Sequence, residues 1–348
     1  MKLSALEYLC CPRCRATELD LREKSPGGER DEIAEGRLVC GRCSASFRIL
    51  GGIPRFVSDE EYAGSFGFQW NQFRKTQLDS HTGLPLSSDR LFQGTQWPRA
   101  MKGCLLLEAG SGAGRFTEVL LQTGAAVFSF DLSNAVEANA KNNGHMSNLN
   151  LFQGSIYEIP VREGIFDKVF CMGMLQHTPD PERSFLGLVR FLKPGGEIAV
   201  DVYACNLRSL LSWKYVLRPI TTRMNKDSLF RCVQRAVKVL LPMAIFLRRI
   251  GGRWGARLMP ILQYSHWGLP YELNREWATL DTFDMYSPAH DHPRSLAEVR
   301  RWFDSAGLEN TVVKYGPNGI VARGRRPHRP VKSDGERSEN GAVRSVLT

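Results

Sequence analysis

Two stretches of this sequence space their side chains for chemistry. Near the start, Cys11 and Cys14 stand in "CPRC", and Cys40 and Cys43 in "CGRC". Each C-x2-C pair can sit on a tight turn that aims two thiolates at one ion, and two such turns complete a tetrahedral zinc site. A thioredoxin-type redox pair would instead need one such motif in a βαβ setting. Cys10 abuts Cys11 and lacks the spacing. The second stretch is "LLLEAGSGAGRF" at 105–116, with Gly110, Gly112 and Gly114 behind an acid, Glu108. Glycine turns that lead from a strand into a helix cradle a cofactor on backbone N–H groups and the helix N-terminus. Glu108 would repel a pyrophosphate and attract the ammonium of a methionine moiety. The spacing is G-x-G-x-G, not the dinucleotide G-x-G-x-x-G. Asp131 follows Gly110 by 21 residues, where a carboxylate can accept both hydroxyls of a ribose.

Positioning these groups takes an alternating set of elements. Strands are expected over "CLLLEA" (104–109), "AVFSFD" (126–131), "NLNLFQG" (148–154), "FDKVFCMG" (166–173) and "GEIAVDVY" (196–203). Helices are expected over 114–124, over 133–144 with Ser133 as N-cap, and over 181–192. Short joints between alternating strands and helices mean a doubly wound, Rossmann-like α/β parallel sheet. The alternation breaks after Tyr203 and resumes with a helix at 295–307. Two strands follow, joined by "PN" and therefore antiparallel. The chain divides into a zinc-ribbon-like domain (1–58), an aromatic connector or flap (59–100), the sheet core (101–205), a basic helical insertion (206–280), the C-terminal part of the core (281–325) and a disordered tail (326–348). The connector carries Phe66, Phe68, Trp70 and Phe73, which can pack against the core or cover a cofactor edge.

"LLLEAGSGAGRF", "VFSFDLS", "GSIYEIP", "FDKVFCMGMLQHTPDP" and "LKPGGEIAVDVY" resemble, in order, the motifs of class I S-adenosylmethionine-dependent methyltransferases, in particular the methyltransferase type 11 family. The resemblance implies S-adenosyl-L-methionine as cofactor. It places Glu108, Gly110, Gly112 and Gly114 at the methionine end, Asp131 on the ribose and Leu132 beside the adenine. Ser155 and Ile156 match the adenine edge, where many relatives carry Asp. Met172 and Gly173 match the strand tip beside the sulfonium, with His177 just past it. "LEYLCCPRC…LVCGRCSASFRILGGIPRFV" resembles the zinc ribbon of the small activator proteins of tRNA, rRNA and protein methyltransferases, and implies structural Zn2+ on Cys11, Cys14, Cys40 and Cys43.

Methyl transfer is an in-line displacement in which positioning does most of the work. A base is needed only for a nucleophile that holds a proton tightly. His177 is the leading candidate base; Asp201, Tyr203, His290, Asp291, His292 and His81 are others. The chain has 348 residues and is 43% hydrophobic, enough for a sizeable core. Its net charge of +10 is local: 206–262 holds twelve Lys/Arg and one acid, Asp227. Within it, Leu229, Phe230, Val233, Val237, Leu240 and Leu241 fall on one helical face and Arg231, Arg235 and Lys238 on the other. This reads as a substrate cap, as an interfacial helix on anionic lipid, or as a cradle for phosphates. The expected acceptor is a small molecule or a lipid- or glycan-linked compound; RNA is the alternative, and a non-catalytic partner-binding protein is a third reading. No secretory leader or spanning segment is visible, so the chain reads as cytoplasmic, with the inner face of a membrane as a further place for the basic segment.

Overall fold

In the computed structural model, residues 1–26, 32–57, 64–205 and 212–328 are described. Strands β1 (Leu19–Pro26), β2 (Ile33–Cys40), β3 (Ser46–Leu50) and β4 (Ile53–Arg55) form an antiparallel meander. Helices α1 (Gly64–Gln72), α2 (Asp79–Thr82) and α3 (Leu86–Thr95) then lead to the core. There β5 (Leu105–Ala109), α4 (Arg115–Gln122), β6 (Ala126–Asp131), α5 (Ala135–Asn143), β7 (Leu149–Gln153), β8 (Phe166–Cys171), α6 (Pro181–Val189) and β9 (Leu192–Val202) follow in the alternation that the sequence pattern requires. Helices α7 (Trp213–Thr221), α8 (Lys226–Ala256, kinked at Gly252, where φ is 54°) and α9 (Tyr271–Tyr286) make the insertion, and α10 (Leu296–Ser305), β10 (Glu309–Gly316) and β11 (Gly319–Arg325) close the chain.

One eleven-stranded sheet runs β1-β2-β3-β4-β7-β6-β5-β8-β9-β11-β10. Strands β4 to β9 run parallel in this order, and β11 and β10 are antiparallel. The order reverses on either side of β5, and the crevice at the carboxyl ends beside such a reversal is where open α/β sheets bind ligands. The glycine loop leaves β5 at that point.

The cysteine-bearing meander does not stand apart. Arg55 of β4 pairs with Gln153 of β7, and Phe56 N–H donates to Gln153 O at 2.9 Å. The Arg15 guanidinium donates to the carbonyls of Ile159 and Val161 at 2.6 and 2.7 Å. Leu38, Phe47, Ile49 and Phe56 share one apolar core with Phe128, Phe130 and Phe152.

Three expectations are corrected. The apolar face of the basic helix (Leu229, Phe230, Val233, Val237, Leu241) is buried against Phe73, Phe283 and Tyr286, so it is core and cannot meet lipid. The division at 280/281 falls inside α9, whose buried side runs unbroken from Trp277 to Tyr286. Of the expected tail, 326–328 continue along the sheet edge, where Arg326 N–H donates to Gly196 O at 2.8 Å; 329–348 lie outside the described residues. Helix α5 is assigned from Ala135, and the Ser133 hydroxyl accepts from Ala135 N–H at 3.2 Å, as the expected N-cap does.

Candidate active site

Gly110, Gly112 and Gly114 all have left-handed backbone, at φ 76°, 53° and 88°. A side chain at Gly110 would collide with Met174 Cγ at 2.5 Å, and one at Gly112 would press on the Trp70 indole at 3.2 Å. Trp70, on α1, thus stands over the loop. The side chains of Phe66 and Phe68 lie outside the described residues. Asp131 at the end of β6 accepts from Gly112 N–H at 2.9 Å and from the Ser133 N–H and hydroxyl at 2.9 and 2.7 Å. Burial raises its pKa, and these hydrogen bonds oppose the rise. Positive-φ glycines and the carboxylate at the neighbouring strand tip thus meet at one cradle at the carboxyl edge of the sheet.

A cavity of about 1190 Å³ opens from this cradle beneath the insertion helices. Gly110, Gly112, Asp131, Leu132, Met172, Gly173 and His177 all line it. Its lining from the end of β9 and the insertion holds aromatic rings, Tyr203, Trp213, Trp254 and Tyr264, together with charged groups, Lys214, Arg248, Arg253, Arg257, Asp281 and Asp284. Glu108, Gly114, Ser155 and Ile156 do not line it. Period-two alternation puts Glu108 on the α4 side of β5, with Leu106. There it is 1% exposed and accepts from Thr117 and Ser129 hydroxyls at 2.6 and 2.7 Å. Burial pushes its carboxyl up to about 7, so it is no fixed anion facing an ammonium. Gly114 caps α4 and faces α5, where a side chain would meet Asn139 Oδ1 at 2.3 Å. Ser155 turns toward the groove between meander and core, its hydroxyl accepting from Tyr157 N–H at 3.3 Å, and Ile156 is buried in the core.

Residues 107–200 match a methyltransferase domain, and residues 2–52 match a Trm112p-like protein. A ubiquinone biosynthesis O-methyltransferase of Methylococcus capsulatus is 30% identical over 171 residues, 47% of this chain and 70% of that protein. This chain belongs to the S-adenosylmethionine-dependent methyltransferase family. One from Coxiella burnetii with the same description is 33% identical over 113 residues, 32% of this chain; the chain spans about half of its length (48%). Among solved structures, a chain in a complex of the Haloferax volcanii Trm112 methyltransferase activator with a candidate methyltransferase is 16% identical; the match covers 78% of this chain and all of that one, with a TM-score of 0.43.

In this chain the candidate bases separate sharply. His177 is 7% exposed, on the cavity wall, with its ring edge-on to Tyr203 at 5.4 Å. Its Nδ1 lies 3.1 Å from His290 O, a carbonyl that can only accept, so Nδ1 carries the proton and Nε2 the lone pair. Burial pulls its pKa down to about 4, so it is neutral at pH 7. Asp201 is locked by Gly173 N–H and Arg90 at 2.5 Å each. Asp291 holds Lys214 at 2.6 Å, His290 and His292 stack on each other outside the cavity, and His81 is exposed on α2. An unfolded imidazole titrates near 6.5, so the buried ring refuses a proton that the unfolded chain accepts. The stability that neutral His177 contributes is whole above pH 6.5 and is lost as pH falls toward 4. Between pH 7 and 5 a His177→Gln variant should therefore lose about 2 kcal/mol less stability than the parent. Urea unfolding of both at the two pH values checks this; equal losses would contradict the buried neutral ring.

A network that no single stretch of sequence announces ties the cap to the loop. Arg115, just past Gly114, donates to Gln77 at 2.7 Å; Gln77 donates to Asp281 at 2.9 Å; Asp281 also accepts from Trp277 at 2.9 Å and from the Tyr264 hydroxyl. Burial lifts Asp281 and Asp284 to about 6 and lowers Arg115 to about 10. The only signal was "WATLDTFD", which sets Trp277, Asp281 and Asp284 on one helical face.

The cysteine cluster is built as twins. Arg15 N–H donates to Cys11 O and Cys11 N–H to Ala16 O; Ser44 N–H donates to Cys40 O and Cys40 N–H to Ala45 O, all at 2.8–2.9 Å. Arg15 and Ser44 share left-handed φ values of 62° and 57°. Cys11 Sγ lies 3.6 Å from Cys43 Sγ and Cys14 Sγ 3.5 Å from Cys40 Sγ, with all four within 4.8 Å of one another. Zn–S bonds of about 2.3 Å in a tetrahedron put sulfurs about 3.8 Å apart, so the set fits zinc. Cys10 points away, to Val161 O at 3.2 Å.

Proposed function

We propose that this chain transfers the methyl group of S-adenosyl-L-methionine to a hydroxyl of a small-molecule or lipid-linked acceptor bound in the aromatic half of the cavity. The carrying observation is that Gly110, Gly112, Asp131 and His177 open on one cavity to which the insertion adds aromatic rings, Trp213, Trp254 and Tyr264, and cations, Lys214, Arg248, Arg253 and Arg257. A chamber of about 1190 Å³ with aromatic walls and charged groups suits a compact acceptor that carries both apolar and polar parts. An oxygen acceptor is supported by the relatives described as O-methyltransferases.

The fit to S-adenosylmethionine rests on the positive-φ cradle, the Asp131 carboxylate on the cavity wall and the Trp70 indole over Gly112. The cofactor supplies a methyl group on a positively charged sulfur. Asp131 would hold the ribose hydroxyls, and the loop N–H groups with the α4 N-terminus would receive the carboxylate end. Met172 and Gly173 would wall the cofactor's reacting end. Nε2 of His177 would accept the acceptor's hydroxyl proton, and Nδ1–H on His290 O keeps the ring in that tautomer. Cys11, Cys14, Cys40 and Cys43 hold Zn2+ structurally, away from the reaction.

His177→Ala should lower kcat by about 10²–10⁴ while cofactor affinity changes by no more than a few-fold. The substrate class is tested by methyl transfer from labelled cofactor to whole-cell lipid, small-molecule and RNA fractions. Label in the lipid or small-molecule fraction is expected. Label confined to RNA would replace this reading with the RNA one.

A further inference from the structure

We propose that the solvent face of α8 docks this methyltransferase on an anionic lipid surface, with the mouth of its cavity turned toward the bilayer. The inference deepens the proposed function, and rests on it only for what the mouth admits.

A surface helix needs one apolar face, and α8 has two. The first is packed against α9. On the other side, Val239, Met243, Phe246 and Ile250 are 73, 51, 57 and 68% exposed. Their spacing of 4, 3 and 4 puts them in one stripe. Isolated exposed apolar residues mean little, but a contiguous patch marks an interaction surface. Here the clustering is strong: of twelve large hydrophobic residues exposed among the described residues, ten lie between Trp213 and Leu262.

Charge chooses the occupant. Arg231, Arg235, Lys238 and Arg249 flank the stripe, roughly 40 to 100° around the helix, and all are exposed. Among the described residues none of them is in a salt bridge, and no acid lies between Ser228 and Ala256. An apolar stripe beside unpaired cations is the pattern of a helix lying in the headgroup boundary of anionic lipid. RNA would use the cations and leave Val239 and Ile250 in water. A second copy of the chain would set the cations against their like.

Position agrees. Trp213, Trp254 and Leu258 are 42, 55 and 60% exposed and also line the cavity, so they stand at its mouth. Arg253 and Arg257 stand with them, each within 6 Å of the Trp254 ring. Indole and arginine at one rim suit the level of lipid headgroups. An acceptor anchored in the bilayer could enter without crossing water. No helix among the described residues is long and apolar enough to cross a membrane, so attachment would be to one leaflet.

The test sediments the full chain with vesicles of phosphatidylcholine alone or with phosphatidylglycerol added, at low and at high salt. Capture by the anionic vesicles only, weakening with salt, is expected. Changing Arg235, Lys238 and Arg249 together to Gln should lower capture about a hundred-fold. Phe246→Gln with Ile250→Gln should also release the protein; both positions are exposed, so the fold is kept, as circular dichroism would show. No capture by anionic vesicles, equal capture by neutral ones, or capture untouched by the Phe246/Ile250 pair would overturn the proposal. So would loss of RNA binding or of a dimer, in place of vesicle binding, in the charge variant. Cofactor affinity is measured without vesicles, so failure of the methyltransferase reading would show there and leave the vesicle result to stand or fall by itself.

Discussion

Replacing Cys40 by Ser should unfold the whole chain, not just its first fifty residues. On the proposed zinc site, the Cys40 thiolate is one of four ligands, and binding free energies of about 10–16 kcal/mol at structural zinc sites are folding energy. A detachable ribbon would keep that loss to itself. Here the meander continues the sheet through Arg55 and Gln153, and Leu38, Phe47 and Ile49 lie in one apolar core with Phe128 and Phe152. Arg15, on the first cysteine turn, also satisfies the carbonyls of Ile159 and Val161, which lose their partners if the turn opens. Metal analysis should find one zinc per chain in the parent and none in the variant. Hydrogen exchange should show amides of β3 and of β7 losing protection together. Retained protection across β5–β9 in a zinc-free chain would show that the meander is a separate module.

Asp131→Ala should weaken S-adenosylmethionine binding about 30- to 150-fold, the equivalent of about 2–3 kcal/mol for charge-assisted hydrogen bonds to two hydroxyls. Asp131 is the carboxylate that closes β6 on the cavity wall, and its hydrogen bonds to Gly112 and Ser133 also hold the loop open for the ligand. Ser155→Ala is the matched control. The motif resemblance puts Ser155 at the adenine edge, whereas the fold turns it to another groove, so its affinity should stay within about two-fold. Calorimetry on the two variants separates the positions. An unchanged Asp131→Ala would remove the ribose assignment, and a large Ser155→Ala loss would restore the motif-based one.

Much of the fold was legible in the sequence because it follows local rules. Strand and helix periods with short joints dictate a parallel sheet, and glycines at alternate positions after a buried strand mark a loop of left-handed backbone, as Gly110, Gly112 and Gly114 show. The four cysteines were legible too, since two C-x2-C turns leave the thiolates little choice of partner. Which loop residues face the cavity was decided by tertiary structure. Glu108 and Gly114 sit in the same motif as Gly110 and Gly112, yet the pleat of β5 sends the carboxylate to Thr117, and the start of α4 sends Gly114 to Asn139. The network of Gln77, Arg115, Tyr264 and Asp281 joins segments up to about two hundred residues apart, and no local pattern encodes such a meeting. The basic helix is the clearest case. Its sequence holds two apolar stripes, and composition alone favoured the one that begins at Leu229. Only packing against Phe283 and Tyr286 shows that stripe to be core, leaving the stripe through Val239 and Ile250 to the solvent, because a helix can bury against its neighbour only the side that faces it.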